Sequence, residues 1–153
     1  MTNKPSWLEG KPDLIIEISG GEKLPAYLLT DKAPSTCERI LEKLPIKNKL
    51  FHTRWSGREV YTPIKIDPTI PLENETMHTN KGDITYWQEW DKPKEDRSEA
   101  ISLYYGPEIP RGPQGLLKVN VFARVPQTHW DILEEIGTRI WKNNVEEINI
   151  LKR

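Results

Sequence analysis

Within Phe51-His52-Thr53-Arg54-Trp55-Ser56 an imidazole able to exchange a proton near neutral pH stands two residues from a guanidinium whose forked donors fit a carboxylate or carbonyl. Side chains of an extended segment alternate between faces, so His52, Arg54 and Ser56 share one side and Phe51, Thr53 and Trp55 the other. Trp55 joins the polar side only if a bulge turns it. The same alternation in Val119-Asn120-Val121-Phe122-Ala123 sends Val119, Val121 and Ala123 inward and leaves Asn120 and Phe122 outward. A groove on the outside of a sheet follows, with His52 and Arg54 as candidate catalytic groups, Phe122 as an apolar wall and Asn120 as an orienting amide. Glu73-Asn74, Tyr86 and Tyr105 fall at strand ends or in turns, where they would add an acceptor, an amide and two phenols as further ligand-binding candidates. A blander alternative stays open: His52 and Arg54 as solvated strand residues, Glu73-Asn74 as a turn, and the tyrosines as core.

Other chemistry is poorly supplied. One cysteine, Cys37, cannot form an internal disulfide, and with His52, His78 and His129 scattered there is no zinc-type ligand spacing. Neither Gly20-Gly21 nor the loop Gly112 to Gly115 precedes a helix in a phosphate-binding pattern, so no metal and no cofactor is expected. Cys37 itself lies on an apolar helix stripe and reads as core, while His78 and His129 read as solvated.

These groups must be positioned by one core, the number a chain of 153 residues supports. Residues 1–12 read as a weakly ordered leader whose Trp7 docks on the body, and 13–153 as a single domain. A net charge of −1 with 29% charged residues gives no field to attract nucleic acid or an anionic membrane. No apolar stretch resembles a secretory signal or a membrane helix, so a cytoplasmic location is expected.

Leu14 to Ile18 and Leu24 to Leu29 around Gly20-Gly21 predict a β-hairpin. A helix follows from Pro34 to Pro45, with Cys37, Ile40, Leu41 and Leu44 on one stripe, suited to plugging an open barrel end. Strands are predicted over Phe51 to Ser56, Glu59 to Ile66, Asp83 to Trp87, Ile101 to Tyr105 and Leu117 to Val125. The charged stretch Asp91 to Ser98 and the Gly/Pro-rich Gly106 to Gly115 read as loops. Thr128 and Asp131 suggest a capping box for a second helix bearing Trp130, Leu133, Ile136, Ile140 and Trp141, weakened at Gly137. Val145 to Leu151 closes the order, which points to a mostly β fold, a closed antiparallel barrel capped by two helices.

Leu28-Leu29-Thr30-Asp31-Lys32-Ala33-Pro34-Ser35-Thr36, then Phe51-His52, then Gly112-Pro113 with Asn120-Val121-Phe122 ending ten residues after Gly112, resemble the cyclophilin pattern in the right order. The resemblance is nearer to small bacterial proteins that share the cyclophilin-like barrel without an assigned activity, through Ala33-Pro34-x-Thr36, His52-x-Arg54-Trp55-Ser56-Gly57, Glu73-Asn74, Lys81-Gly82-Asp83-Ile84, Tyr105-Gly106 and Asn120 to Ala123. It implies a cyclophilin-like barrel with its groove on the outside, and no reaction.

Three uses of the groove remain open. The first is a site for a small carboxylate- or amide-containing molecule or short peptide, bound or converted. The second is prolyl isomerisation, for which the cyclophilin pattern wants an arginine directly after Phe-His; Thr53 stands there and Arg54 is one residue late. The third is a non-catalytic module, a homo-oligomer for example, docking through Trp7, Trp87 and Trp90.

Overall fold

The structure, a computed structural model, describes residues 11–19 and 21–153. Most of the expected leader, Trp7 with it, and Gly20 lie outside the described residues. In β1 (Leu14–Ile18), Leu14, Ile16 and Ile18 are buried while the residues between them are half-buried. Gly21, at φ 98, makes the turn into β2 (Lys23–Leu28). α1 (Pro34–Lys43) begins on Pro34, whose missing N–H costs nothing at a first turn, and buries Thr36, Cys37 and Ile40. Burial pushes the Cys37 thiol up to about 12, so it is a packed thiol and no nucleophile at neutral pH.

β3 (Ile46–His52) and β4 (Glu59–Pro63) follow, then the short β5 (Glu75–Thr76), β6 (Asp83–Gln88) and β7 (Glu99–Tyr104). The small hairpin β8 (Arg111–Gly112) and β9 (Gly115–Leu116) precedes β10 (Val119–Arg124), α2 (Trp130–Asn143) and β11 (Val145–Lys152). Among the described residues, eight antiparallel strands run in the order β2-β1-β11-β3-β4-β7-β6-β10 and return from β10 to β2, which closes the barrel. β5 adds to the free part of β10. The barrel core is aliphatic, with Ile16, Leu24, Leu50, Val60, Ile101 and Leu103 inside, and α1 and α2 contribute Ile40 and Ile136 to it.

Several expected details are corrected. The strand expected over Phe51 to Ser56 stops at His52, because the Thr53 hydroxyl accepts the backbone N–H groups of Trp55 (3.3 Å) and Ser56 (3.4 Å) and bends the chain. The Gly106 to Gly115 loop contains the start of the β8–β9 hairpin, and a 3-10 turn over Lys94–Asp96 interrupts the charged loop. No side chain caps α2; Thr128 bonds the His129 ring instead. Trp141, assigned by spacing to the buried stripe, is 63% exposed.

The largest correction concerns β10. Asn120 and Phe122 face inward and are 0% and 1% exposed, while Val119 and Val121 face away from the core. A β-bulge between Val121 and Ala123 then shifts the register against β6, which lets Ala123 join Phe122 in the core. Asn120 can be buried because its amide is fully answered. Its Nδ2 donates to the Pro71 carbonyl (2.9 Å) and to Thr36 Oγ1 (3.2 Å), and its Oδ1 accepts the Glu73 N–H (3.1 Å). Glu73 in turn accepts the N–H groups of Thr36 (2.6 Å) and Ser35 (3.3 Å) at the start of α1. Asn74, at φ 46, donates its side-chain amide to the Val121 carbonyl (2.8 Å). Asn120→Ala strands several of these groups at once, and urea denaturation is expected to register a loss of about 2–3 kcal/mol; a change within about 0.5 kcal/mol would deny the network its structural weight.

Candidate functional site

A groove of about 770 Å³ lies on the side of β4 and β7 turned away from the core. Alternation explains its floor: Val60, Ile101 and Leu103 point into the barrel, so Glu59, Tyr61, Ser102 and Tyr104 point out into the groove. Phe51, paired with Tyr61 across β3 and β4, stacks on it with ring centroids 5.7 Å apart. The Thr53-Arg54-Trp55 turn forms one wall, and the arm between β7 and β10 forms the other through Pro110, Pro113 and Leu117. Trp141 of α2 flanks the β3 side, and Trp87 lies at the far end beside Ala100.

The arm is tied down at two points. Thr79 and Glu108 exchange backbone hydrogen bonds (2.9 and 3.2 Å), and the Glu108 carboxylate accepts both the backbone N–H and Nε of Arg58 (2.9 Å each). Ser56 Oγ accepts the Arg111 N–H (2.8 Å) and donates to its carbonyl (3.3 Å). Gly57 permits this approach, since a Cβ there would lie 2.4 Å from the Glu108 carboxylate.

His52 sits at the groove edge. Its Nδ1 is 2.8 Å from the Thr53 carbonyl, an acceptor only, so Nδ1 donates there, and Nε2 shares a hydrogen bond with the Tyr105 hydroxyl at 2.6 Å. The ring meets Trp141 edge-on, with centroids 4.9 Å apart. Burial pushes the Tyr105 phenol up. Tyr105 packs so closely on Gly137 that a Cβ there would fall 2.2 Å from its ring, which accounts for a glycine inside α2.

Arg54 is exposed at the lip and makes no ion pair among the described residues. Trp55 beside it is 58% exposed. Glu59 is 9% exposed on the floor. Burial pushes its carboxyl above the ordinary glutamate range; the hydroxyls of Ser102, Ser56 and Tyr104 oppose this, and the Glu108 charge adds to it. Burial first, and then the Glu59 charge, lift the Tyr104 phenol well above its usual value. Glu99, also a groove residue, accepts the Tyr86 hydroxyl (2.6 Å) and the Ile66 N–H (3.1 Å). Lys92, 2.7 Å from Glu89, holds that carboxylate below the usual range. Among the described residues no three His, Cys, Asp or Glu side chains stand together so as to hold a metal.

Of the residues singled out in the sequence, His52, Arg54 and Trp55 meet at this groove. Tyr105 stands behind it, bonded to His52. Glu73, Asn74 and Asn120 meet one another under α1, and Tyr86 and Phe122 are core. Glu59, Tyr61, Ser102, Tyr104 and Trp141 belong to the groove and were missed, and Trp87, expected as a docking residue, lies in it as well. One signal was there: in Glu59-Val60-Tyr61-Thr62 the acid and the phenol share a face opposite Val60.

The family described as "Protein of unknown function (DUF3830)" matches residues 16–151. No curated protein matches the chain. Among solved structures, McbB in complex with tryptophan superposes with a TM-score of 0.69 at 19% identity, over 92% of this chain and 44% of McbB. The chain thus spans less than half the length of that neighbour. The solution structure of the hypothetical protein AF2241 from Archaeoglobus fulgidus gives 0.53 at 18% identity over all of both chains. Both likenesses concern the fold. No helix among the described residues is long and apolar enough to cross a membrane.

The raised Glu59 carboxyl fixes the sign of a pH effect. The folded protein holds this proton more tightly than the unfolded chain. Its stabilisation is therefore full below the ordinary glutamate value of about 4.3 and is lost as pH rises through the raised folded value. Glu59→Gln removes that component, so the melting temperature of the wild type is expected to fall relative to the variant between about pH 4 and about pH 8. Parallel melting-temperature curves over that range would show that Glu59 carries no such shift.

Proposed function

The chain belongs to the DUF3830 family of proteins of unknown function, and on that premise we propose that it binds a small carboxylate- or amide-bearing molecule in the groove outside the barrel. The observation that carries this reading is an aromatic-walled groove with an unpaired guanidinium, Arg54, at its lip. Its volume of about 770 Å³ falls inside the roughly 300–1,000 Å³ common for small-molecule sites. Phe51, Tyr61, Trp87 and Trp141 offer flat apolar faces, and Arg54 offers a forked donor to a carboxylate or carbonyl. The barrel is read as cyclophilin-like, a family in which the outer face also serves binding. McbB, similar in fold, is a protein solved with tryptophan, an aromatic carboxylate, and that chemistry suits these walls. His52, with Tyr105 bonded to its Nε2, stands at the groove edge, so conversion of the ligand is compatible with the same site.

Calorimetric titration with indole-3-propionate tests the reading. Wild-type protein is expected to bind it, and Arg54→Ala to bind about 10–100-fold more weakly, the worth of a charge-assisted hydrogen bond. Equal affinities in the two proteins would remove Arg54 from the site.

A further inference from the structure

Glu59 is a nine-tenths buried carboxyl in the groove floor that no cation of the described chain answers. Arg58, next to it in sequence, turns its guanidinium away to Glu108 (2.9 Å) and the Pro107 carbonyl (2.8 Å). Glu89 already has Lys92, and Glu99 already has the Tyr86 hydroxyl and the Ile66 N–H. The groups converging on Glu59 are the Ser102 and Tyr104 hydroxyls from β7, Ser56 from the turn and the negative Glu108 from the arm. Arg54 at the lip, His52 at the edge and the Tyr61 phenol on the floor are the groove's other titratable or cationic groups. Hydroxyls suit either state of the acid, because each can donate to a carboxylate or accept from a carboxylic acid, and each can also accept from an ammonium. Aromatic faces around the groove attract cations as well.

We propose that Glu59 receives a ligand amine, so that the groove's ligand is an aromatic molecule carrying a primary or secondary ammonium, with Arg54 taking its carboxylate where it has one. This rests on the groove being a small-molecule site, as argued above. An ammonium has three donors, and the Glu59 carboxylate with the Ser102 and Tyr104 oxygens supplies three acceptors. In the empty groove, burial favours the protonated acid. Binding then proceeds as carboxylic acid plus ammonium giving a carboxylate–ammonium pair, with one proton released to solvent. Affinity for an amine therefore rises with pH until Glu59 is already ionised in the free protein.

The test is calorimetry of the wild type with tryptamine, indole-3-propionate and L-tryptophan, in buffers of differing ionisation heat. Tryptamine is expected to bind more tightly than indole-3-propionate, to release up to one proton, and to gain at least about threefold in affinity from about pH 5 to about pH 8. Glu59→Gln is expected to lose about tenfold or more for tryptamine while indole-3-propionate changes less than about twofold. These ligand preferences and the proton release are read in the wild type, so they decide the matter even if the variant folds poorly. Indole-3-propionate binding as tightly as tryptamine, or a folded Glu59→Gln that keeps its tryptamine affinity, overturns the amine proposal and leaves the groove standing. If none of the three ligands binds, both fall.

Discussion

The groove depends on one set of hydrogen bonds, those pinning the arm between β7 and β10 to the rest of the barrel. A barrel strand ordinarily buries one face and gives the other to water. β7 does not: Ser102 and Tyr104 on its outer side are as buried as Ile101 and Leu103 on its inner side. Thr79 with Glu108, Arg58 with Glu108 and Ser56 with Arg111 keep the arm close enough to help shield that outer face. Without them Glu59 would be an ordinary surface acid, because its displaced proton affinity comes first from burial.

That dependence also explains what could be read from residue order and what could not. Where burial is decided by an element's own periodicity, the expectation matches: Cys37 and Ile40 face inward on α1, and Leu14, Ile16 and Ile18 do so on β1. Where burial is decided by distant cover, it fails. Val119 and Val121 look like a core face, yet they point out toward covering structure, while the polar Asn120 points inward to partners on two separate segments, α1 and the loop of Pro71 and Glu73. The bulge after Val121 adds a change of parity with no glycine or proline to announce it. Trp141 fits the α2 stripe by spacing but stands at its edge, facing the groove. His52 and Arg54 were found because their chemistry, not their burial, drew attention. Glu59 was overlooked because an acid opposite a buried valine reads as solvated until the arm is seen.

The two acids Glu73 and Glu59 on opposite sides of the sheet make an instructive contrast. Glu73 is met by backbone N–H groups at a helix start, fixed donors that leave little for a ligand to offer, and its own N–H donates to the Asn120 Oδ1 below it. Glu59 is met by rotatable hydroxyls inside an aromatic hollow and by no opposing charge. A barrel fold of this kind carries no function by itself, so such local differences in donors are where function has to be sought.

The ring of strands is sewn shut by a short joint. β2 and β10 share only the pairs Leu28 with Ala123 and Arg124 with Tyr27, whereas β3 and β11 are matched over six positions. Opening fluctuations favour such short seams, as local unfolding does elsewhere. β10 reaches the seam with its last residues and the groove with its first, Val119. Breathing at the closure is therefore spent at the far end of the strand, whereas the equally short β3–β4 joint, Phe51 with Tyr61 and His52 with Val60, lies at the hollow that would receive a guest and gives its rim the freedom to adjust.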